Sequence, residues 1–390
     1  MRLRIDQGCG GRGSGAHERE RPDVLFLAAA ILSASIHLAG AVGVSVVPAD
    51  VPRGVGVETG ATGASSSVSG AGDTSGAADA ERGDVEGASA LADACRTAAP
   101  TSCLDELSSA SVRELDDFAG SLDAAGDDTG VIVDALASVR GADDVASWWQ
   151  GLDSSRQLTL VARVPGVVGN LEGVPYATRD VANRLFLVAA RAAVDDRRGT
   201  PDERPGDDAR AEMLAQVAAA VGGREAGDAD RHLVVLDTVL PGRAAVSVGD
   251  LDTADDVSVL VPGMFFTVGS QLVDWTDTAG ELYDEQRSWT YLLAGSDAGP
   301  LDQVAVVAWL GYRTPDLTNV YGLDLARAGA DRLEDALAGL DATRASSPAR
   351  VTVVAHSYGS TTATLALSSG EASVDSLVLL GSPGSVVPSA

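Results

Sequence analysis

The second half of the chain alternates short apolar runs with longer stretches of helical length. The runs have the Val-rich composition of strands, and Pro241-Gly242 marks a turn between the first two, as in a hairpin. Alternation of strands and helices predicts a mostly parallel sheet covered by helices on both faces. We predict this α/β architecture for residues 232–390, with strands at Leu233–Leu236, Ala244–Val248, Val257–Val261, Val304–Trp309, Val351–Ala355 and Ser376–Leu380, and helices at Gln271–Tyr291, Leu325–Leu340 and Thr361–Leu367.

In residues 91–221 the apolar residues are spaced differently. Apolar residues recur there at steps of three to five residues, which is typical of one face of a helix. A charged stretch with Pro and Gly at Arg197–Asp208 predicts an exposed loop. We predict a helical N-terminal region whose apolar positions include Leu104, Leu107, Val112, Leu115, Phe118, Val131, Leu136, Val139, Leu158, Val161, Leu185 and Val188.

The sequence before residue 91 divides into three segments. Residues 1–23 are polar and contain five arginines, whereas residues 24–47 carry no charge. A helix of the second segment would be roughly 36 Å long, and a bilayer core is about 30 Å thick. The segment is therefore long enough to span a membrane, and the arginines before it predict a cytoplasmic N-terminus.

Two alternatives remain open for residues 24–47. The segment is either an uncleaved membrane anchor or a signal peptide removed near Ala39-Gly40-Ala41 or after Ala49. Residues 48–90 are rich in Gly, Ala, Ser, Thr and Asp and contain no aromatic residue, which predicts a disordered linker. We expect the remainder of the protein to lie outside the cytoplasm, either membrane-anchored or secreted.

Charge and cysteine content narrow the choice of partners and cofactors. A net charge of −28 repels phosphate backbones, so we do not expect nucleic acid as a partner. The three cysteines match no zinc or redox spacing; Cys95 and Cys103 either pair, as export would allow, or remain free thiols. The sequence contains no metal or cofactor motif, and we expect neither.

Ser357 is the strongest candidate for chemistry. The residues Ala355-His356-Ser357-Tyr358-Gly359 follow an apolar strand directly and lead into a helix. This is the setting of the nucleophile elbow G-x-S-x-G, here with Ala in the first position. A turn from strand to helix this sharp strains the serine backbone and requires small neighbours, which Ala355 and Gly359 provide. Ser357 is our predicted nucleophile.

Two further segments are candidates for the same site. Val261-Pro262-Gly263-Met264-Phe265 follows the third strand, where this fold places a second oxyanion donor. We predict the backbone N–H groups of Met264 and Tyr358 as the oxyanion hole. Phe265, Trp309 and Tyr312 are candidates for lining a substrate pocket at the carboxyl edge of the sheet; core packing is the alternative for the last two.

A serine nucleophile also needs a base. In α/β folds that carry this elbow, the catalytic residues follow one another in the sequence as Ser, then Asp or Glu, then His. None of the four histidines follows Ser357, and His356 beside it is expected to point to the opposite face. Glu371 and Asp375 precede the last strand and so belong to the wrong edge of the sheet. We expect the acid and the histidine to lie beyond Ala390, which would mean that this sequence is truncated at its C-terminus.

On the basis of these residues and of the further motifs given below, the protein resembles an actinobacterial α/β-hydrolase family known as domain of unknown function 1023. The similarity covers about two thirds of the sequence in two blocks. The residues that carry it are Trp148-Trp149-Gln150-Gly151-Leu152, Val164-Pro165, Gly169-Asn170-Leu171-Glu172-Gly173-Val174-Pro175, Arg179-Asp180, Ala182-Asn183-Arg184, Leu260-Val261-Pro262-Gly263-Met264, Trp309-Leu310-Gly311-Tyr312, Ala355-His356-Ser357-Tyr358-Gly359 and Gly381-Ser382-Pro383-Gly384.

The resemblance implies a serine hydrolase. Ser357 would attack an ester, thioester or amide and form an acyl-enzyme, with a small-molecule or lipid-like acyl compound as substrate. The missing acid and histidine support the alternative of a non-catalytic, membrane-anchored surface or interaction protein. The resemblance assigns no catalytic role to Asn170-Leu171-Glu172-Gly173.

Overall fold

The computed structural model describes residues 91, 94, 95, 100–125, 141–222, 228–294 and 303–384. Its centre is a six-stranded sheet. All six predicted strands occur, with ends shifted by at most two residues. They are β1 (Arg231–Asp237), β2 (Arg243–Val248), β3 (Asp256–Val261), β4 (Val304–Leu310), β5 (Arg350–His356) and β6 (Ser376–Leu380).

The sheet is of the α/β-hydrolase type and is mostly parallel. Its spatial order is β1-β2-β4-β3-β5-β6. The β1–β2 hairpin is antiparallel, as predicted, and β2 also runs antiparallel to β4. The remaining neighbours are all parallel. The inner strands β3 and β4 are buried along almost their whole length, which explains their unbroken apolar sequences.

Helices cover both faces of the sheet. One face packs against α6 (Asp207–Val221) and α7 (Val268–Ala294). The other packs against α8 (Asp324–Thr343) and α9 (Tyr358–Ser368). The helix after β3 and the helix after β5 therefore lie on opposite faces of these neighbouring strands. Loops that diverge in this way open a crevice at the carboxyl ends of the strands, where α/β proteins bind ligands.

The N-terminal block is helical, as the spacing predicts. The described residues form α1 (Pro100–Ser109), α2 (Val112–Ala125), α3 (Ser154–Arg163), α4 (Pro165–Val168), α5 (Tyr176–Arg197) and a helical stretch at 141–151. Ser111 and Glu114 form a capping box at the start of α2, and Asp153 caps α3. These helices enclose a separate core that contains Leu104, Phe118, Trp149, Leu160 and Val168.

A disulfide joins Cys95 to Cys103 at the start of this block. The structure therefore shows the paired alternative for these two cysteines. The predicted membrane segment 24–47 and the predicted linker 48–90 lie outside the described residues. Within the residues that are described, no helix combines the length and the apolar character needed to cross a membrane.

Polar residues of the N-terminal block cover the free edge of β1. Asn170 binds both backbone groups of Leu236, donating from Nδ2 over 2.9 Å and accepting at Oδ1 over 2.8 Å. The N–H of Leu233 donates to Asp180, and its C=O accepts from Asn183. Arg184 donates to the C=O of Arg231. These side chains replace a neighbouring strand, because each occupies a backbone group that the edge would otherwise leave free.

Glu172 and Arg179 hold the block together internally. Arg179 is fully buried, donates to both carboxylate oxygens of Glu172 and also bonds to the C=O of Gly169. The Glu172 carboxylate lies so close to α8 that a β-carbon at Gly339 would collide with it. The residues of this motif therefore have identifiable structural roles.

Candidate active site

Ser357 is the single residue between β5 and α9. Its backbone angles are φ 53° and ψ −123°, a conformation that non-glycine residues rarely adopt. Its N–H bonds to the C=O of Leu380 over 2.8 Å, and its C=O accepts from the N–H of Ser360 over 2.9 Å. The strand ladder and the first turn of the helix thus hold the serine in its strained conformation, which agrees with the elbow predicted from the sequence.

Two glycines permit the tight packing around this elbow. A β-carbon on Gly263 would come within 2.7 Å of Ser357 Cβ and 3.3 Å of Ser357 Oγ. A β-carbon on Gly359 would come within 2.5 Å of the Pro262 carbonyl oxygen. The β3–α7 loop (residues 262–267) and the elbow are therefore in direct contact, and neither glycine position has room for a side chain.

The predicted oxyanion donors lie on the two sides of this contact. Met264 follows Gly263 directly, and Tyr358 is the first residue of α9, where backbone N–H groups have no partner within the helix. In the described part of the protein, neither the N–H of Met264 nor that of Tyr358 has a hydrogen-bond acceptor. The structure thus brings the nucleophile candidate and both donor candidates to one place.

The β4–α8 loop (residues 311–323) fixes the β3–α7 loop at three points. Tyr312 donates its hydroxyl to the C=O of Pro262 over 2.7 Å. The N–H of Phe265 donates to the C=O of Pro315 over 2.9 Å, and Thr314 Oγ1 donates to the C=O of Phe266 over 2.6 Å. Burial raises the pKa of the Tyr312 phenol, so it remains a protonated donor. This arrangement orients the peptide planes on both sides of Gly263 and Met264.

Phe265 adopts a second unusual backbone conformation in this loop. Its φ is 69°, and among the described non-glycine residues only Ser357 shares a positive φ. The side chain is 49% exposed. A bulky residue in this region of conformational space is strained, and such strain is found preferentially at functional sites. Its exposure agrees with the prediction that Phe265 borders the site, whereas its strain was not foreseen.

Trp309 and Tyr312 are placed differently from Phe265. Both are only 3% exposed, and their rings stack at 5.8 Å between the sheet and α8. Trp309 lines a cavity of about 40 Å³ on this face, but Ser357, Met264 and Tyr358 do not line it. The core-packing alternative therefore describes both residues, because the sheet and α8 enclose them, and Tyr312 acts on the site through Pro262.

The two histidines among the described residues do not complete a triad with Ser357. His232 lies on β1, with Nδ1 at 3.7 Å from Asp180. His356 is half-buried and directed towards Gly381 at the end of β6. Burial lowers the pKa of His356, which favours its neutral form. In the described residues no hydrogen bond joins Ser357 Oγ to a histidine, aspartate or glutamate side chain.

Metal ligation is not a feature of the region that the structure describes. Between residues 91 and 384, with the gaps given above, no group of three or more His, Cys, Asp or Glu side chains is arranged to hold a metal ion. The elbow itself presents the hydroxyl of Ser357 and the backbone N–H groups of Met264 and Tyr358.

Comparison with known proteins supports the same fold. Residues 237–390 match a family model described as Alpha/beta hydrolase. The protein is 33% identical over 269 residues to the uncharacterized protein Rv2079 of Mycobacterium tuberculosis, a match that spans 63% of this sequence and 40% of the relative. It is 41% identical over 157 residues to the uncharacterized protein Mb0988c of Mycobacterium bovis, a match that spans 39% of this sequence and 57% of that relative.

The matched part is thus similar to α/β hydrolases, and the protein spans between two fifths and three fifths of the length of these relatives. No solved structure gives a significant match. The family match suggests a hydrolase, and the relatives carry no assigned activity that would narrow it.

Proposed function

We propose that this protein is a serine hydrolase that cleaves an ester, thioester or amide through an acyl-enzyme on Ser357. The observation that carries the proposal is the strained backbone of Ser357 between β5 and α9, packed against Gly263. A serine held in this way presents its hydroxyl at the crevice between two diverging loops. We also propose the narrower kinship with domain of unknown function 1023.

The proposed reaction has two steps. Ser357 Oγ attacks the carbonyl carbon, its proton passes to a base, and the resulting oxyanion is held by the N–H groups of Met264 and Tyr358. Collapse of this intermediate breaks the bond to the leaving group, which takes the proton from the base. Water then attacks the acyl-enzyme by the same route and releases the acid and free Ser357.

The base is the part of the mechanism that the described residues do not supply. Neither His232 nor His356 is bonded to Ser357 Oγ as placed. Since α/β hydrolases order the triad as Ser, acid and His, the proposed mechanism needs an acid and a base that the described residues do not place at Ser357 Oγ.

The proposal includes a location outside the cytoplasm, either anchored by residues 24–47 or secreted. The Cys95–Cys103 disulfide supports it, because such bonds persist in oxidising compartments. Counting the free thiols of protein taken directly from cells, after rapid acid quenching, tests this part. One reactive thiol, that of Cys9, agrees with an anchored protein and none with a cleaved signal peptide, whereas three contradict export.

The test of the proposed activity is reaction with a fluorophosphonate probe, which modifies activated serines. The protein expressed from its complete gene is compared with its Ser357→Ala variant and with the exposed-serine control Ser368→Ala. We expect labelling of the parent protein and of Ser368→Ala, and none of Ser357→Ala. Absence of labelling in the parent protein would overturn the proposal in favour of the non-catalytic surface protein.

A further inference from the structure

Large apolar side chains are exposed on the two loops beside Ser357. Phe265 is 49% exposed on the β3–α7 loop, and Leu317 and Tyr321 are 70% and 95% exposed on the β4–α8 loop. We refer to these three residues as the apolar rim. Three such side chains on two loops that contact each other are a candidate contact surface, because covering exposed apolar area with a ligand is favourable.

The β4–α8 loop is attached at both ends to residues next to the predicted oxyanion donors. Near its start, the C=O of Pro315 accepts from the N–H of Phe265, which follows Met264. Near its end, the C=O of Gly322 accepts from the hydroxyl of Tyr358 over 2.6 Å. The segment that carries Leu317 and Tyr321 therefore lies between a contact with the β3–α7 loop and a contact with the Tyr358 side chain, which places it next to both segments that carry the predicted donors.

The loop is also internally ordered. The C=O of Asp316 accepts from the N–H groups of Asn319 and Val320, and its side chain accepts from the N–H of Thr318 over 2.7 Å. The Asn319 carbonyl then accepts from the N–H of Gly322. Leu317 and Tyr321 are thus held outward by a hydrogen-bonded turn, so their exposure is a property of the fold.

A substrate carbonyl placed at Ser357 must extend its acyl chain over the surface next to the oxyanion donors. The apolar rim provides surface there that gains from contact with methylene groups. An anionic membrane is a poorer occupant, because a strongly acidic protein is repelled by negatively charged lipid. These considerations favour an acyl chain of the substrate as the group that covers the rim.

We propose that the apolar rim binds the acyl chain of the substrate, so that the substrate class is esters or thioesters of medium or long apolar acids. This inference rests on the proposed function, since it assigns the acyl group of the compound that Ser357 would attack. It predicts a preference for octanoyl over acetyl substrates that depends on Leu317 and Tyr321.

The kinetic test compares hydrolysis of p-nitrophenyl octanoate and p-nitrophenyl acetate, both as monomers. Leu317→Ser and Tyr321→Ser are measured in the protein expressed from its complete gene, beside the control Leu158→Ser, which alters a leucine on α3 whose exposure (69%) is close to that of Leu317. We expect the octanoate-to-acetate ratio of kcat/KM to fall about tenfold in each rim variant and to stay unchanged in the control. An unchanged ratio in both rim variants would overturn the inference.

A binding test separates failure of the inference from failure of the proposed function. Fluorescence polarisation of dye-tagged octanoate is measured with Ser357→Ala, alone and combined with Leu317→Ser or Leu158→Ser. Binding that is lost only with Leu317→Ser supports the rim even if Ser357 proves unreactive. If dye-tagged octanoate still binds after Leu317→Ser, the inference about the apolar rim is contradicted. Sedimentation with phosphatidylcholine vesicles that depends on Leu317, together with an unchanged acyl preference, would instead assign the rim to a membrane.

Discussion

The free edge of β1 and the carboxyl end of β5 use their polar groups in opposite ways. At β1, Asp180, Asn183 and Arg184 surround a histidine, a set of residue types that resembles an active site. Each of those three side chains bonds to the backbone of the strand. At β5 there is one hydroxyl in a strained conformation, with two N–H groups nearby that have no acceptor among the described residues.

The difference shows which signal identifies a site in this molecule. A dense set of charged and amide side chains protects a sheet edge here, because Asp180, Asn183 and Arg184 each bind a main-chain group of β1. Two atoms of this cluster, Asn183 Oδ1 and His232 Nε2, are buried without a partner among the described residues. At the elbow, the groups proposed for chemistry are a strained serine and two backbone N–H groups that support no neighbouring element. Perturbing the two regions should therefore give opposite results: loss of reactivity at β5 and loss of stability at β1.

The largest effect is expected from Gly263→Ala. The added methyl group would meet Ser357 Cβ at 2.7 Å, so either the serine or the Met264 N–H must move. We expect the fluorophosphonate labelling rate to fall about a hundredfold to a thousandfold, the range for loss of an oxyanion donor. Gly280→Ala is the control, because its nearest neighbour is an Arg231 side-chain atom at 3.9 Å. Equal labelling of both variants would contradict the predicted oxyanion loop.

The corresponding change at β1 is Asn170→Ala. It removes both bonds to Leu236 and a third to the C=O of Gly166, leaving part-buried groups unpaired. We expect the free energy of unfolding in urea to fall by about 2 kcal/mol, while the labelling rate of the folded protein is unchanged. Thr159→Ala, which loses one exposed hydroxyl bond, should have little effect. A fall in labelling without a fall in stability would give the motif a functional role.

A smaller effect is expected where Tyr312 positions the β3–α7 loop. Tyr312→Phe removes the hydroxyl that binds the Pro262 carbonyl but keeps the stacked ring. We expect kcat to fall about tenfold with KM unchanged, because the donor at Met264 is less well oriented. Tyr291→Phe, at an exposed position, is the control. If KM rises while kcat is preserved, Tyr312 acts on substrate binding instead.

The smallest effect concerns pH at the β1 edge. The hydrogen bond to Asp180 raises the pKa of His232, and the pKa of Asp180 is lowered by its hydrogen bonds to His232 and Leu233 despite the opposing effect of burial. The stabilisation from His232 is complete below its unfolded pKa of about 6.5 and is lost as pH rises through the raised folded value. That from Asp180 is present above about pH 4 and is lost on acidification through its lowered folded value.

The pair should therefore contribute most between about pH 4 and 6.5. Because His232 is a quarter exposed, we expect a contribution below about 1 kcal/mol. The measurement is the difference in unfolding free energy between the parent protein and His232→Gln across pH 5–9. A difference that does not shrink on the alkaline side would show that the charge on His232 is not involved.

The strands could be predicted from sequence because inner strands such as β3 and β4 are continuous apolar runs. The ends of the strands were harder to predict, because the backbone pairing continues beyond the apolar runs into charged residues. Arg350 at the start of β5 pairs with Asp256 at the start of β3. The spacing of apolar residues correctly predicted a helix at α5, but the prediction that Leu185 and Val188 face the core was wrong. Both are exposed, and Leu187 and Val194 face the core instead.

The candidate site was predictable where local backbone geometry determines it. The strand-to-helix turn identified Ser357, and the glycine after β3 identified the facing loop. The bond from Tyr312 to Pro262 and that from Asn170 to Leu236 join residues 50 and 66 positions apart. Such pairings depend on how loops and helices pack in three dimensions, and no periodicity or local motif encodes them.

The absence of space at two glycines gives a way to sort relatives of this protein by sequence. Any side chain at Gly263 would displace the serine, and any side chain at Gly359 would strike the carbonyl of Pro262. A lineage that abandons the reaction is released from the constraint at Gly263, whose nearest neighbour is the side chain of Ser357, whereas Gly359 stays confined by main-chain atoms of Val261 and Pro262. A relative with a larger residue at position 263 and a glycine at 359 should therefore have kept the architecture and given up the chemistry.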